Sequence, residues 1–226
     1  ATFSGNTAVK EAGMFCFYGG EWSLENCLAE KNTSTSNGGA VYLNTGSMDI
    51  KGCTFNENSS TGGAGGGAIY VTTNGKLSVS ASVFTGNVNP ANGGAIMIAK
   101  SAPDCHKIDR SVFKSNESKY GSAVRMDQGV MLYINSTEFA QNVALSPNNG
   151  GAVYSKGCIY MNNCSVYDNG GADDNSSLVL NSGNDGETTA SAAVVMNTTV
   201  IETAANTGCG EILKMPVLMD YTLSEP

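Results

Sequence analysis

Basic residues are scarce in this chain. Twelve Lys and Arg stand against twenty Asp and Glu, a formal net charge of -8, which argues against nucleic acid or an anionic lipid surface as a partner. There is one histidine, His106, and one tryptophan, Trp22. No spacing resembles a zinc site, and no Ser, His and Asp set assembles around His106. Long apolar runs are missing as well. No stretch reaches the roughly 18 residues of a spanning helix, so no membrane insertion is expected of this chain. It also lacks a signal peptide, and Ala1 opens two residues before the first repeat aromatic, so the chain reads as a processed or trimmed product.

What the chain does contain is Gly, Asn, Ser and Thr in a strict register. The segment SVFTGNVNPANGGAIMI, residues 82–98, holds an aromatic, an Asn three residues later, a loop and a Gly-Gly-Ala step into alternating apolar residues. Aligned on the aromatic, the equivalents are Phe3, Ala29, Phe55, Phe84, Phe113, Phe139, Val166 and Ile201, at intervals of 26, 26, 29, 29, 26, 27 and 35. A period in this range marks a solenoid.

Each repeat divides into the same parts. Seven and five residues before the aromatic lie two apolar columns, Trp22, Met48, Leu77, His106, Leu132, Ile159, Val194 and Leu24, Ile50, Val79, Ile108, Ile134, Met161, Met196. The column between them, Ser23, Asp49, Ser78, Lys107, Tyr133, Tyr160, Val195, is mostly polar. This period-two alternation predicts a strand with one face inside. A second strand opens after Gly-Gly-Ala. Coils of this length, climbing roughly 4.8 Å each, make a parallel β-helix in which like residues stack. The expected fold is all-β: a single-stranded right-handed parallel β-helix of about seven to eight coils over residues 1–210. Its hand is inferred from the usual parallel crossover. The glycines of the Gly-Gly-Ala step are expected to supply positive φ. The asparagines Asn6, Asn32, Asn58, Asn87, Asn116, Asn142 and Asn169 are expected in left-handed corners, bonding from coil to coil.

The pairing of Phe-x-x-Asn with Gly-Gly-Ala-Ile, as in FTGN with GGAI or FAQN with GGAV, resembles the repeats of polymorphic outer membrane proteins. These are autotransporter-like surface proteins with a right-handed β-helix passenger of the pectate-lyase type. The resemblance covers roughly residues 1–206 and implies adhesion or surface display. Ala29, Val166 and Ile201 depart from its aromatic, and Gly121-Ser122-Ala123 from its Gly-Gly-Ala.

This fold also carries polysaccharide lyases and hydrolases, whose sites need carboxylates, or a carboxylate with Arg or Lys, converging from neighbouring coils. Here Asp49 and Lys107 share one outward column, and Lys51 and Asp109 another, but serines fill the coil between. The one local acidic concentration is Asp173, Asp174, Asp185 and Glu187, which reads as a solvated loop. His106 occupies an inward apolar column, as a hydrogen-bonded core residue would. The expected function is therefore a non-enzymatic extracellular structural or adhesive module without cofactor or metal. The alternative is a carbohydrate-active enzyme or lectin of the same fold.

Several positions are candidates for that role. Tyr42, Tyr70, Met97, Arg125 and Tyr154 form a column on the second strand that is expected to be exposed, offering stacked faces to sugars or protein, or else covering one another. Cys27 and Cys53, each two residues before the aromatic, are expected to form a disulfide across adjacent coils. Cys105 and Cys158 lie two coils apart, too far to bridge. Glycosylation sequons occur at Asn32, Asn58, Asn116, Asn135, Asn163, Asn175 and Asn197. Asn135 and Asn197 are read as outward and Asn163 as one place along, whereas Asn32, Asn58 and Asn116 can carry no sugar if they form a buried ladder.

Residues 211–226 are read separately. Met215, Val217, Met219, Tyr221 and Leu223 alternate with mostly polar neighbours, predicting a one-faced strand that either caps the helix in cis or is donated to another copy. Partners are thus expected to be a second copy, head-to-tail, and cell-surface or matrix glycans.

Overall fold

Polar corners and apolar strands alternate along each repeat, and together they wind the chain into a stack. The computed structural model describes residues 1–99, 105–145, 151–171, 178–180, 192–201 and 217–223. Among these, every strand pairing is parallel and joins one coil to the next. The fold is a parallel β-solenoid, with a number of coils close to that expected.

The phenylalanine strands stack as Thr2–Ser4, Leu28–Glu30, Thr54–Asn56, Val83–Thr85, Val112–Lys114, Glu138–Ala140 and Ser165–Tyr167. Phe55, Phe84, Phe113 and Phe139 lie ring over ring at 4.8, 4.7 and 5.1 Å, with planes within 13°. The strand spacing imposes this separation, so burial and stacking act on the same side chains. After each Gly-Gly-Ala the chain enters strands that are separate in the later coils, as Ile96–Ile98 and Cys105–Asp109. In the earlier coils they merge into Val41–Lys51 and Ile69–Ser80. Ile, Val, Leu and Met from these strands fill the interior.

Two sharp corners shape each coil. One is made by left-handed residues in a column of Asn26, Gly52, Ala81, Arg110, Ser136, Asn163 and Asn197, the other by Gly5, Lys31, Glu57, Gly86, Ser115, Gln141 and Asp168. The ladder asparagines sit one residue after the second corner, not in it. Their place is instead inside, where Asn32, Asn58, Asn87, Asn116 and Asn142 are wholly buried.

The Gly-Gly-Ala step also divides its labour differently from the expectation. The first glycine has positive φ, as in Gly66 (77°) and Gly93 (59°). The second is needed for closeness: a Cβ on Gly67 would lie 2.0 Å from the Gly94 carbonyl oxygen.

The last full coil is shifted by one residue from the sequence alignment. Ala193 and Val195, not Val194 and Met196, lie over Ile159 and Met161, and Val200, not Ile201, lies over Val166. Ala193, Val195 and Val200 are accordingly buried. A one-residue slip exchanges the faces of a strand, and here apolar residues on both faces left the period undecided. Trp22 belongs to an inward column by register yet is 46% exposed, lying on Phe17 at 4.6 Å. The strand Val217–Leu223 pairs in parallel with Ala193–Ile201 of the same chain, skipping Asn197.

Candidate functional site

The outward columns are the surfaces on which this solenoid can present chemistry. The column beginning at Tyr42 is in the register the sequence indicated, Cys16, Tyr42, Tyr70, Met97, Arg125, Tyr154. Below Cys16, which is exposed, the column is largely covered. Met97 and Tyr154 are 3% and 6% accessible, and Tyr42, Tyr70 and Arg125 are half-buried. Tyr42 and Tyr70 stack at 5.5 Å. Arg125 is enclosed between the rings of Tyr120 and Tyr154, at 5.0 and 5.5 Å, and its guanidinium donates to Asn92 and Asp127. Asn92 and Tyr120 come from the segments that precede Gly-Gly-Ala, and they close over the column. Sequence alternation can show that a residue points outward, but not that a neighbouring segment covers it.

The open aromatic surface lies one strand further on. Tyr133 is 43% exposed, and its ring lies 5.4 Å from that of Tyr160 on the next coil. Beside this pair runs an amide ladder on the outside of the molecule. Asn135 donates to Asp109 at 2.8 Å, Asn162 to Asn135 at 3.0 Å and Asn197 to Asn162 at 3.0 Å. The Asn135 amide, and secondarily the Arg110 guanidinium, hold the Asp109 carboxyl below its usual range. Alternation places Tyr133 and Tyr160 in an outward column, but spacing alone does not reveal the side-chain bonds of this ladder, which begins on an aspartate, Asp109, and crosses to the corner residue Asn197.

Two polar ladders are interior. In the asparagine ladder, both the main-chain and side-chain nitrogens of one Asn donate to Oδ1 of the next, as from Asn32 to Asn58 at 3.0 and 2.9 Å. The same side-chain nitrogen donates backward to a carbonyl of the phenylalanine strand. Asn32, Asn58 and Asn116 are thereby removed as glycan acceptors. Asn163 and Asn197 are exposed and Asn135 is half-buried. Asn197 stacks at the left-handed corner with Asn163, not over Asn135 as the unshifted register implied. Asn175 lies outside the described residues, as do Met215 and the acidic set Asp173, Asp174, Asp185 and Glu187.

The second ladder was not anticipated. Cys27, Cys53, Ser82, Ser111, Thr137, Cys164 and Thr198 occupy one column just after the first corner. Each donates to the carbonyl two residues earlier, as Ser82 does to Ser80 at 2.8 Å and Thr137 to Asn135 at 2.8 Å. Cys53, Ser82, Ser111, Thr137 and Thr198 also receive an N–H from the adjacent coil, as Ser82 Oγ does from Cys53 at 3.1 Å. Cysteine is here a larger, softer stand-in for a hydroxyl. Cys27 and Cys53 are adjacent, but the expected disulfide between them is not seen: both are thiols, with the Cys27 N–H directed at Cys53 Sγ at 3.4 Å. Burial raises the Cys53 and Cys164 pKa above the ordinary thiol value.

His106 is fully buried, and its Nδ1 accepts the Leu77 N–H at 3.2 Å, as expected of a core histidine. Asp49 and Asp109 fall in separate columns, with Lys107 in the column of Asp49. Among the described residues, no three His, Cys, Asp or Glu side chains are grouped to hold a metal. No described helix is long and apolar enough to cross a membrane.

The repeat signature places this architecture among known proteins. Residues 52–72 match the Chlamydia polymorphic membrane protein (Chlamydia_PMP) repeat. The chain is a parallel β-solenoid in which one repeat matches that family model. It is similar to the probable outer membrane protein pmp6 of Chlamydia pneumoniae, with 25% identity over 72% of this chain and 14% of that protein. It is equally similar, at 25% identity over 74% of its length, to the metabotropic glutamate receptor-like protein R of Dictyostelium discoideum, of which it spans 10%. The Pmp-like chain thus covers a small part of either relative. No solved structure matches it.

Proposed function

We propose that this Pmp-like solenoid is a cell-surface structural and adhesive module without catalytic activity. The observation that carries this reading is the continuous internal support beneath an open outer face. Buried Phe and Asn ladders run from coil to coil, and the parallel pairing of Met131–Asn135 with Cys158–Asn162 sets the Tyr133 and Tyr160 side chains next to each other on the surface. Such preorganisation lowers the entropic cost of binding. The repeat match and the outer-membrane description of one relative support surface placement.

Adherence of beads coated with the purified chain to cells, competed by free chain, tests the reading; absence of saturable adherence refutes it. A carbohydrate-active enzyme is the second reading, favoured by the groove beside Asp109 and Lys107. Release of unsaturated or reducing ends from polysaccharides would establish it.

Head-to-tail stacking of copies belongs to the same proposal, by parallel strand pairing between coils of two copies. Pairing of the Val217–Leu223 strand in cis supports a capping role for its inner edge. Negative-stain images at high concentration distinguish rods from monomers.

A further inference from the structure

We propose that the outer face around Tyr133 and Tyr160 is a binding site for neutral glycan chains, a refinement that rests on the adhesive reading above. Two shallow depressions meet there. One, of about 170 Å³, is walled by Tyr133, Cys158, Tyr160 and Val194. The other, of about 340 Å³, is walled by Ser78, Ser80, Lys107, Asp109 and Asn135, with Tyr133 as the shared wall. Their shared wall sets them one after the other on a single face across successive coils.

Its chemistry suits a chain of hydroxylated rings. A sugar ring has an apolar C–H face and a rim of hydroxyls. Tyr133 and Tyr160 offer aromatic faces for the first. The flanking side chains offer donors and acceptors for the second. An amide has two N–H groups and two acceptor positions. Asn135 lines the larger depression; its amide nitrogen donates to Asp109 and Ser136 and its Oδ1 accepts one bond from Asn162, so one acceptor position remains for a sugar hydroxyl beside the Lys107 and Asp109 side chains. The rungs repeat at roughly 4.8 Å, a spacing that lets consecutive rings of a linear glycan meet equivalent groups. Charge selects among glycans. Lys107 and Asp109 balance locally, and the chain as a whole carries -8, which opposes acidic polysaccharides.

The test uses the purified chain on an array of neutral and acidic oligosaccharides, with titration calorimetry of the best binder. The expected result is binding to neutral glycans, weakened about tenfold or more by Tyr133→Ala and by Tyr160→Ala, with melting unchanged. Should those variants misfold, iodination of the wild-type chain replaces them, and the oligosaccharide should protect Tyr133. Binding only to acidic glycans, binding undiminished in the folded double variant, or unprotected Tyr133 would each overturn the site. Cell adherence without any glycan binding would sink this inference and leave the adhesive reading standing. Glycan binding without cell adherence would do the reverse.

Discussion

Asn58 delivers both its main-chain N–H and its side-chain amide to a single atom, Oδ1 of Asn87, each at 3.0 Å. Asn87 does the same to Asn116 while its amide also donates to the Phe55 carbonyl at 2.9 Å. One side chain therefore closes the corner of its own coil and ties it to both neighbours. Since every group involved is buried, the loss of one member strands several others.

Asn87→Ala is accordingly expected to lower the unfolding free energy by about 3 kcal/mol, as two buried donors on Asn58 lose their acceptor and the Phe55 carbonyl loses one of its bonds. Asn74→Ala, at an exposed position, is expected to stay within ~0.5 kcal/mol. Chemical denaturation of the two variants against wild type measures the contrast. Equal effects would remove the ladder from any special structural role.

Gly67→Ala tests close approach in the absence of a φ requirement. The added Cβ would sit 2.0 Å from the Gly94 oxygen and 2.7 Å from Val88 main-chain atoms, so a loss of about 3 kcal/mol is expected. Gly63→Ala meets nothing within 4 Å and is expected to be neutral within ~0.5 kcal/mol. Thermal melts decide between them.

The thiol positions divide into two predictions. Cys53→Ser is expected to preserve the ladder, whereas Cys53→Ala leaves the Cys27 N–H without its partner and costs about 1–3 kcal/mol. Under mild oxidation, Cys27 and Cys53 are the pair proposed to crosslink, because Met131 separates Cys105 from Cys158 by a full rung. Peptide mapping without reductant checks the pairing. Cys105 linked to Cys158 would contradict the stacking order itself.

Asp109 supplies a pH test with a definite sign. Its carboxyl is held below 3.8 by the Asn135 amide and then by Arg110. Its contribution is therefore present above the unfolded value and is lost as pH falls through the lower folded value. Asn135→Ala should move the Asp109 titration upward in carboxyl-detected NMR. An unchanged midpoint would show that the outer ladder does not form in solution.

Peptide mass mapping of protein from a glycosylating host bears on the sequons. Sugar is expected only at Asn135, Asn163 or Asn197 among the described sites, and never at Asn32, Asn58 or Asn116, whose amides are consumed in the core. Occupancy of Asn58 would mean that the asparagine ladder is open.

Spacing alone determined that Phe84 would meet Phe113 and that Asn87 would meet Asn116, because a repeat length is a covalent property and equal lengths superimpose like residues. It also placed His106 inside and separated Cys105 from Cys158. Openness required the folded molecule, since whether Tyr70 or Tyr133 sees solvent depends on where Asn92 and Tyr120 settle, and no periodicity encodes that. The same holds for the last coil, where Val194, Val195 and Met196 are all apolar and only packing against Ile159 and Met161 chose which would turn inward.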